Sequence, residues 1–394
     1  MPKEVFVLSA VGFFVAIGYG LIVPAIPLFA RTFHANATQV GLIISSFALA
    51  RFGSGLISGK FVDAIGERLT LGFGLGMVSI SSLLCGFAHS YWQLLTYRAA
   101  GGLGSSMFSV SASALLMRSV NDAQRAQAQS IYNSGFLIGG IIGPAFGGIL
   151  SAISLRAPFF VYAVTLLAAS LTSLLYLHEK RLGRSIINKQ TEDDRVLLRD
   201  AIKLHPYRIA LIITFLSNWI LFGLRSSILP LFATSQLHIS TSALGFGFTF
   251  AAIAQGSLLV LAGKIIDIRG RRIGLLIGSA FITSGMIVLM TATHQWSFFT
   301  LMILFGFGGA FMGTAPVSIV GDLFGGRGGR VIALYQMAGD AGMIACPIIV
   351  GFLVDRFSYR VAFEVSSALF LFAIYMAFKL KETRKEFEIS FREE

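Results

Sequence analysis

"GKIIDIRGRR", residues 263–272, sets five charged side chains into ten positions of a chain in which charged residues make up 13%. "GKFVDAIGER", residues 59–68, repeats the Gly, the Asp, the second Gly and the final Arg at the same internal spacing, 204 positions earlier. Each stretch is flanked on both sides by a long apolar run. One charged hairpin occurring twice between apolar segments points to a duplicated membrane protein.

The composition agrees. Of 394 residues, 55% are hydrophobic, and the mean hydropathy of +0.77 excludes an ordinary soluble surface. Crossing the hydrocarbon core takes about 20 apolar residues in a helix. Twelve runs of that kind are present, with cores near 5–30, 38–58, 69–88, 92–117, 127–151, 157–177, 208–232, 241–262, 273–293, 296–321, 331–354 and 360–380. They are too long and too uniformly apolar for barrel strands, which alternate in polarity. The expected fold class is therefore an all-α membrane protein with twelve transmembrane helices. Span 1 lacks a small-residue cleavage site and exceeds a signal peptide's apolar core, so it is read as retained, with the mature chain beginning at Met1.

A formal charge of +12 raises the question of nucleic acid, but the cations are distributed as in a membrane protein. With the N-terminus cytoplasmic, 24 of the 31 Lys and Arg fall in cytoplasmic segments. Only Arg31, Arg156, Arg356 and Arg360 fall outside, and Arg51, Arg98 and Arg225 lie within spans. The positive-inside rule then places both termini in the cytoplasm, and the expected location is the plasma (inner) membrane. No nucleic-acid partner is expected.

Cys85 and Cys346 sit within spans 3 and 11, where they read as small packing residues rather than a disulfide framework. The six histidines lie in loops or at helix ends without metal-ligand spacing, so neither metal nor cofactor is expected. No nucleophile–base pair appears in the spans and no P-loop is present, which argues against an enzyme and against ATP as the energy source.

The duplication continues beyond the hairpins. "PLF" at 27–29 recurs at 230–232, and Gly20 recurs as Gly223. Trp92, Gly102 and Gly104 match Trp296, Gly306 and Gly308, Tyr132 and Pro144 match Tyr335 and Pro347, and "SLRAPFFV" at 154–161 tracks "SYRVAFEV" at 358–365. An offset of 203 to 204 across six helices implies two six-helix halves. Six is even, so both halves enter from the same side and the repeat is parallel. The expected domains are 1–177, a hydrophilic cytoplasmic linker 178–207, and 208–394 with a short cytoplasmic tail.

With these features the chain resembles transporters of the major facilitator superfamily, over essentially its whole length, and within it the twelve-helix drug:proton antiporter group. The resemblance rests on two motifs. The family's hairpin G-x-x-x-D-R-x-G-R-R is matched by Gly59, Asp63, Gly66 and Arg68, with Ala64 and Glu67 departing, and by Gly263, Asp267, Gly270, Arg271 and Arg272, with Ile268 departing. In span 5, Gly139, Gly143, Pro144, Gly147 and Gly148 fill the antiporter-type motif G-x-x-x-G-P-x-x-G-G. The resemblance implies that the hairpins are cytoplasmic gating loops that latch one half against the other. It also implies an exporter exchanging substrate for protons.

Ionisable residues at membrane depth are functional candidates, because burying them without a partner costs several kcal/mol. Four stand out as proton-coupling or charge-relay residues: Arg51 in span 2, Arg98 in span 4, Arg225 in span 7 and Asp340 in span 11. Asp340 is the carboxylate placed deepest. Arg51 matches its depth best and forms the expected pair, with Arg225 as an alternative. Arg98, in "LLTYRAAGGLG", resembles the family's span 4 motif l-x-x-x-R-x-x-x-G, which is implicated in proton transfer. Acidic residues common on span 1 of such exporters are absent here. In the family arrangement the substrate cavity would draw on Tyr19, Tyr97, Asn218, Trp219 and Met312, with Tyr132, Asn133, Tyr335 and Gln336 from spans 5 and 11.

The function expected is secondary active transport by alternating access, most simply proton-coupled efflux of drugs or other small amphiphilic compounds by a monomer in the bilayer. Two alternatives stay open, a metabolite or sugar transporter of the same fold and a lipid flippase.

Overall fold

The computed structural model describes residues 1–120, 124–177, 198–324 and 329–383. All regular secondary structure among them is helical. A chain in hydrocarbon must satisfy its backbone N–H and C=O groups internally, which helices do within a single segment.

Span 1 is α1 (Lys3–Ile22) followed by α2 (Ala25–Arg31), and spans 2 to 6 are α3 (Ala37–Ile65), α4 (Glu67–Gly86), α5 (Tyr91–Ser119), α6 (Arg125–Ile153) and α7 (Ala157–Tyr176). A short helix, α8 (Leu198–Lys203), precedes span 7, which consists of α9 (His205–Asn218), a π-helical turn (Trp219–Leu224) and α10 (Arg225–Ser235). Spans 8 to 12 are α11 (Thr241–Arg269), α12 (Arg271–Met290), α13 (Gln295–Phe324), α14 (Gly329–Arg356) and α15 (Tyr359–Lys379). Among the described residues eleven of these spans are long and apolar enough to cross a membrane, and the twelfth is the bent pair Ala37–Gly55 and Ile57–Ile65, with a 55° bend.

Most extents follow the apolar runs to within three residues, while α3 and α11 run seven residues past theirs into the charged hairpins at Ile65 and Arg269. Span 7 starts at His205 because Pro206 fits the first turn of a helix, where its missing N–H costs nothing. Span 1 is interrupted at Val23–Pro24. At the corresponding level of span 7 the irregularity is instead the π turn, which contains no proline and has no signature in composition.

Contacts divide the helices into two compact units. Among the described residues, the first comprises everything up to 177 together with 226–252 and 347–355, and the second comprises the rest. In the first, α1 packs on α6 and α7, α4 on α5 and α7, and α3 on α5. In the second, α12 packs on α13 and α15, and α9 on α13 and α15. The α4–α5, α4–α7 and α1–α7 contacts of one repeat thus recur as α12–α13, α12–α15 and α9–α15 in the other.

The repeat extends to backbone conformation. Gly66 and Gly270 both take positive φ, 87° and 105°, in a region that essentially only glycine occupies. Each closes one helix and opens the next: the Gly66 N–H donates to Val62 and its carbonyl accepts from Thr70, and the Gly270 N–H donates to Ile266 and its carbonyl accepts from Gly274. His34 and His238, 204 residues apart, are the non-glycine residues with positive φ among the described residues, at 58° and 51°.

Candidate functional site

The two basic hairpins are built alike and wired differently. In the first, Glu67 is 6% exposed and pairs with Arg118 in the last turn of α5, while the Arg68 guanidinium donates to the Leu174 carbonyl of α7. Asp63 is exposed on the last turn of α3. In the second, Arg271 donates from Nε and Nη2 to Asp322 on α13 at 2.7 and 3.0 Å, a bidentate arrangement that suits the guanidinium fork. Its Nη1 also reaches Asp267 at 3.1 Å and the Ile266 carbonyl at 3.0 Å. Glu382 caps α12, accepting from the Arg271 N–H at 2.8 Å and the Arg272 N–H at 3.3 Å. The Thr383 hydroxyl donates to Asp322 at 3.0 Å. Gly263 and Gly59 have open space where a Cβ would lie, so neither serves a close helix contact there.

The glycines of α6 lie on a tight seam. A Cβ on Gly139 would come within 2.7 Å of the Ile17 N–H nitrogen and 2.9 Å of Ala16 Cβ. One on Gly147 would lie 2.7 Å from Leu21 Cα, and one on Gly20 would lie 2.8 Å from the ring of Pro144. Gly143 faces Gly20 and Ile17 in the same way. These three glycines, four residues apart, let α1 and α6 touch backbone to backbone. Gly148 faces another partner, α11, where a Cβ would meet Gly245 Cα at 2.9 Å, and the Thr249 hydroxyl of α11 donates to the Ile141 carbonyl at 3.0 Å.

Arg98 is 3% exposed on α5. Its guanidinium carbon lies 4.4 Å from the centroid of Phe47 on α3, a cation–π contact in a low-dielectric setting. That ring is brought over Arg98 by Gly102, where an added Cβ would lie 2.8 Å from Ala50 Cβ and 3.1 Å from the Arg51 nitrogen. The buried Nε of Arg98 has no hydrogen-bond partner among the described residues. Arg51 is half-buried on α3 in the first unit. Asp340 and Arg225 belong to the second unit and are also half-buried. Asp340 sits on α14 between two close approaches to α9. At one, a Cβ added to Gly339 would lie 3.1 Å from Asn218 Nδ2, and at the other Gly342 abuts Phe215. The Arg225 guanidinium lies 5.7 Å from the Phe222 ring.

The remaining cavity candidates fall into two groups. Tyr19, Asn133 and Gln336 are exposed, Tyr97 and Tyr335 are half-buried, and the Asn218 amide donates to the Thr214 carbonyl at 2.9 Å. Trp219, by contrast, is 3% exposed, and its indole N–H donates to Ser366 of α15 at 3.2 Å. Its ring is a packing group of the second unit. Met312 is likewise turned inward against Gly278, and Tyr132 is buried edge-on to Phe136. Glu67, Arg118, Asp322 and Glu382 do not stand out in the sequence, although the repeat offset relates the first three: Glu67 corresponds to Arg271 and Arg118 to Asp322.

Duplicated helices, paired hairpins and the α1–α6 glycine seam together form a transporter architecture. The profile of the Major Facilitator Superfamily matches residues 8–236 and 209–394, two overlapping segments that together span residues 8–394. The chain belongs to the Major Facilitator Superfamily. It is 26% identical over 347 residues to "Multidrug resistance protein 1" of Bacillus subtilis, covering 87% of each chain. To "Quinolone resistance protein NorA" of Staphylococcus aureus it is 27% identical over 185 residues, 46% of this chain and 47% of that one. The fold is also that of a bacterial homolog of the human lysosomal transporter Spinster, with a TM-score of 0.77 at 17% identity, covering 95% of this chain and 96% of the other. As a member of this superfamily the protein is an integral membrane protein of a family that transports small molecules.

Proposed function

We propose that this transporter is a proton-coupled exporter of drugs or other small amphiphilic compounds, working by alternating access between its two six-helix halves, 1–177 and 208–394. Both termini are cytoplasmic and the membrane is the plasma (inner) membrane, as the cation distribution supports. The observation that carries the reading is the complete glycine–proline motif of α6, built as a backbone-to-backbone seam against α1. The multidrug-resistance relatives support the same substrate class.

In this mechanism Asp340 takes up a proton from the outer side and releases it to the cytoplasm. Protonation removes its charge, and with it the attraction to an arginine, with Arg51 as the expected partner and Arg225 as the alternative. A proton moving down the membrane potential gains about 2.3 kcal/mol per 100 mV, which drives substrate the other way. Arg98 supplies a fixed buried cation near the path, held in place by Phe47. A few polar side chains such as Asn218, Tyr19 and Tyr97 among many aromatic and aliphatic ones suit lipophilic compounds as substrates. The hairpins at Asp63 and Asp267 act as cytoplasmic gates.

The test is uptake of lipophilic dyes into inverted, energised vesicles, with and without a proton ionophore, comparing wild type with Asp340→Asn. Ionophore-sensitive uptake abolished by Asp340→Asn is the expected result. Ionophore-sensitive uptake that survives the substitution removes Asp340 from the coupling path, and a wild type that moves no dye redirects the substrate to a metabolite or a lipid.

A further inference from the structure

The N-terminus of α3 is closed by a residue 318 positions away in the chain. Asp355, in the last turn of α14, accepts from the Ala37 N–H at 2.8 Å through Oδ1. Through Oδ2 it accepts from the Thr38 N–H at 2.7 Å and the Thr38 hydroxyl at 2.6 Å. All of these residues belong to the first unit. The helix also has a complete cap of its own: Asn36 accepts from the Gln39 N–H at 2.8 Å, and the Gln39 side chain accepts from the Asn36 N–H at 2.9 Å. A capping box of this kind satisfies the Asn36 and Gln39 N–H groups and leaves those of Ala37 and Thr38 to other partners. Asp355 supplies those partners from another helix, so the bonds that complete the start of α3 also fasten α14 to it.

The fastening sits at the end of a bare contact. A Cβ on Gly351 would lie 2.6 Å from the Ala37 carbonyl oxygen and 2.8 Å from Thr38 Cα, and Gly41 abuts the Pro347 carbonyl one turn further in. At these two points the backbones touch without a side chain between them, and the bonds of Asp355 add direction to the contact. They are charge-assisted, about twice as strong as neutral ones. They also lie at an exposed edge, where water can replace each partner when they part. Strong yet exchangeable bonds are what a releasable contact needs.

We infer that Asp355 is a clasp for the membrane face opposite the basic hairpins, made when that face is shut and released when it opens. The inference rests on the alternating-access reading above. Along α3 the clasp occupies the first turn, and the exposed carboxylate of Asp63, in the gating hairpin, occupies the last. One helix thus carries a latch position at each end, and releasing the first favours engagement of the second.

The experiment is hydrogen–deuterium exchange on the full-length protein in lipid nanodiscs, without substrate, for wild type, Asp355→Asn, Asp355→Glu and Thr38→Val. In Asp355→Asn, exchange is expected to rise about tenfold in peptides covering the first turn of α3, the start of α11 and the end of α14, consistent with losing charge-assisted bonds. Exchange in the 59–68 peptide is expected to slow at the same time. Thr38→Val, which removes one bond and leaves the carboxylate, shifts both regions the same way by less, and Asp355→Glu recovers part of the wild-type pattern. Faster exchange confined to residues 36–41, with 59–68 unchanged, overturns the clasp and leaves a static cap. If Asp355→Asn does not fold, Thr38→Val decides between the same two outcomes. Because the readout needs no substrate, a reciprocal shift in a protein that moves no dye supports the clasp while refuting drug export.

Discussion

Glu67 and Arg118 pair in the first repeat where Arg271 and Asp322 pair in the second, with acid and base exchanged between the two positions. Each pair joins the start of the helix after a basic hairpin to the end of the next helix, 204 residues apart in the chain. The geometry therefore accepts either polarity. Glu67→Arg alone is expected to destabilise the protein by setting two cations together, and adding Arg118→Asp is expected to restore most of the loss. A double-mutant cycle on thermal unfolding in detergent should give a coupling of about 1 kcal/mol. The Arg118 side chain is 41% exposed, so the coupling should weaken in high salt.

Within the α6 motif, neighbouring glycines are not equivalent. Gly143→Ala pushes a methyl group into Gly20 and Ile17 of α1, whereas Gly140→Ala meets nothing within 4 Å. The first should cost about 2 kcal/mol and the second almost nothing. Melting temperatures of the two variants, purified side by side, check this directly.

The hairpin glycines make a second matched pair. Gly66→Ala and Gly270→Ala each force a side chain into a backbone region that disfavours it, at about 1–3 kcal/mol. At Gly270 the new methyl group also runs into the Glu382 carboxylate that caps α12. Each variant should therefore unfold at a lower denaturant concentration than the wild type.

For Arg98, Lys keeps the charge and loses the flat guanidinium that lies on Phe47. Arg98→Lys is expected to lower the melting point slightly, by about 1 kcal/mol in stability, and to cut dye transport in vesicles at least about tenfold. A variant with full transport would assign Arg98 to packing alone.

The fold is legible in the sequence because membrane spans are coded by long apolar runs, and because the "PLF", Gly–Pro and hairpin matches repeat at a nearly constant offset. The π turn is not, since Trp219–Leu224 has the composition of any helical segment. Glu67 looks like a departure from the hairpin motif because a motif is read along one strand of sequence, whereas its partner Arg118 lies a helix away. Comparing the two repeats position by position carries that signal. Trp219 groups with cavity residues on the strength of its span, but its direction depends on how the π turn is set, and its indole N–H points to Ser366. Asp355 reads as one of several charges at helix ends, and only folding brings it to Ala37.

At Gly148 and Gly245, α6 and α11 meet where neither residue has a side chain. Closing an ordinary helix contact freezes rotamers, at a cost of up to about 2 kcal/mol for each long side chain. A glycine-on-glycine contact freezes none when it forms and releases none when it parts. The conformational entropy of such a seam is nearly the same in both states, so its two helices can separate and rejoin with little thermal penalty in either direction.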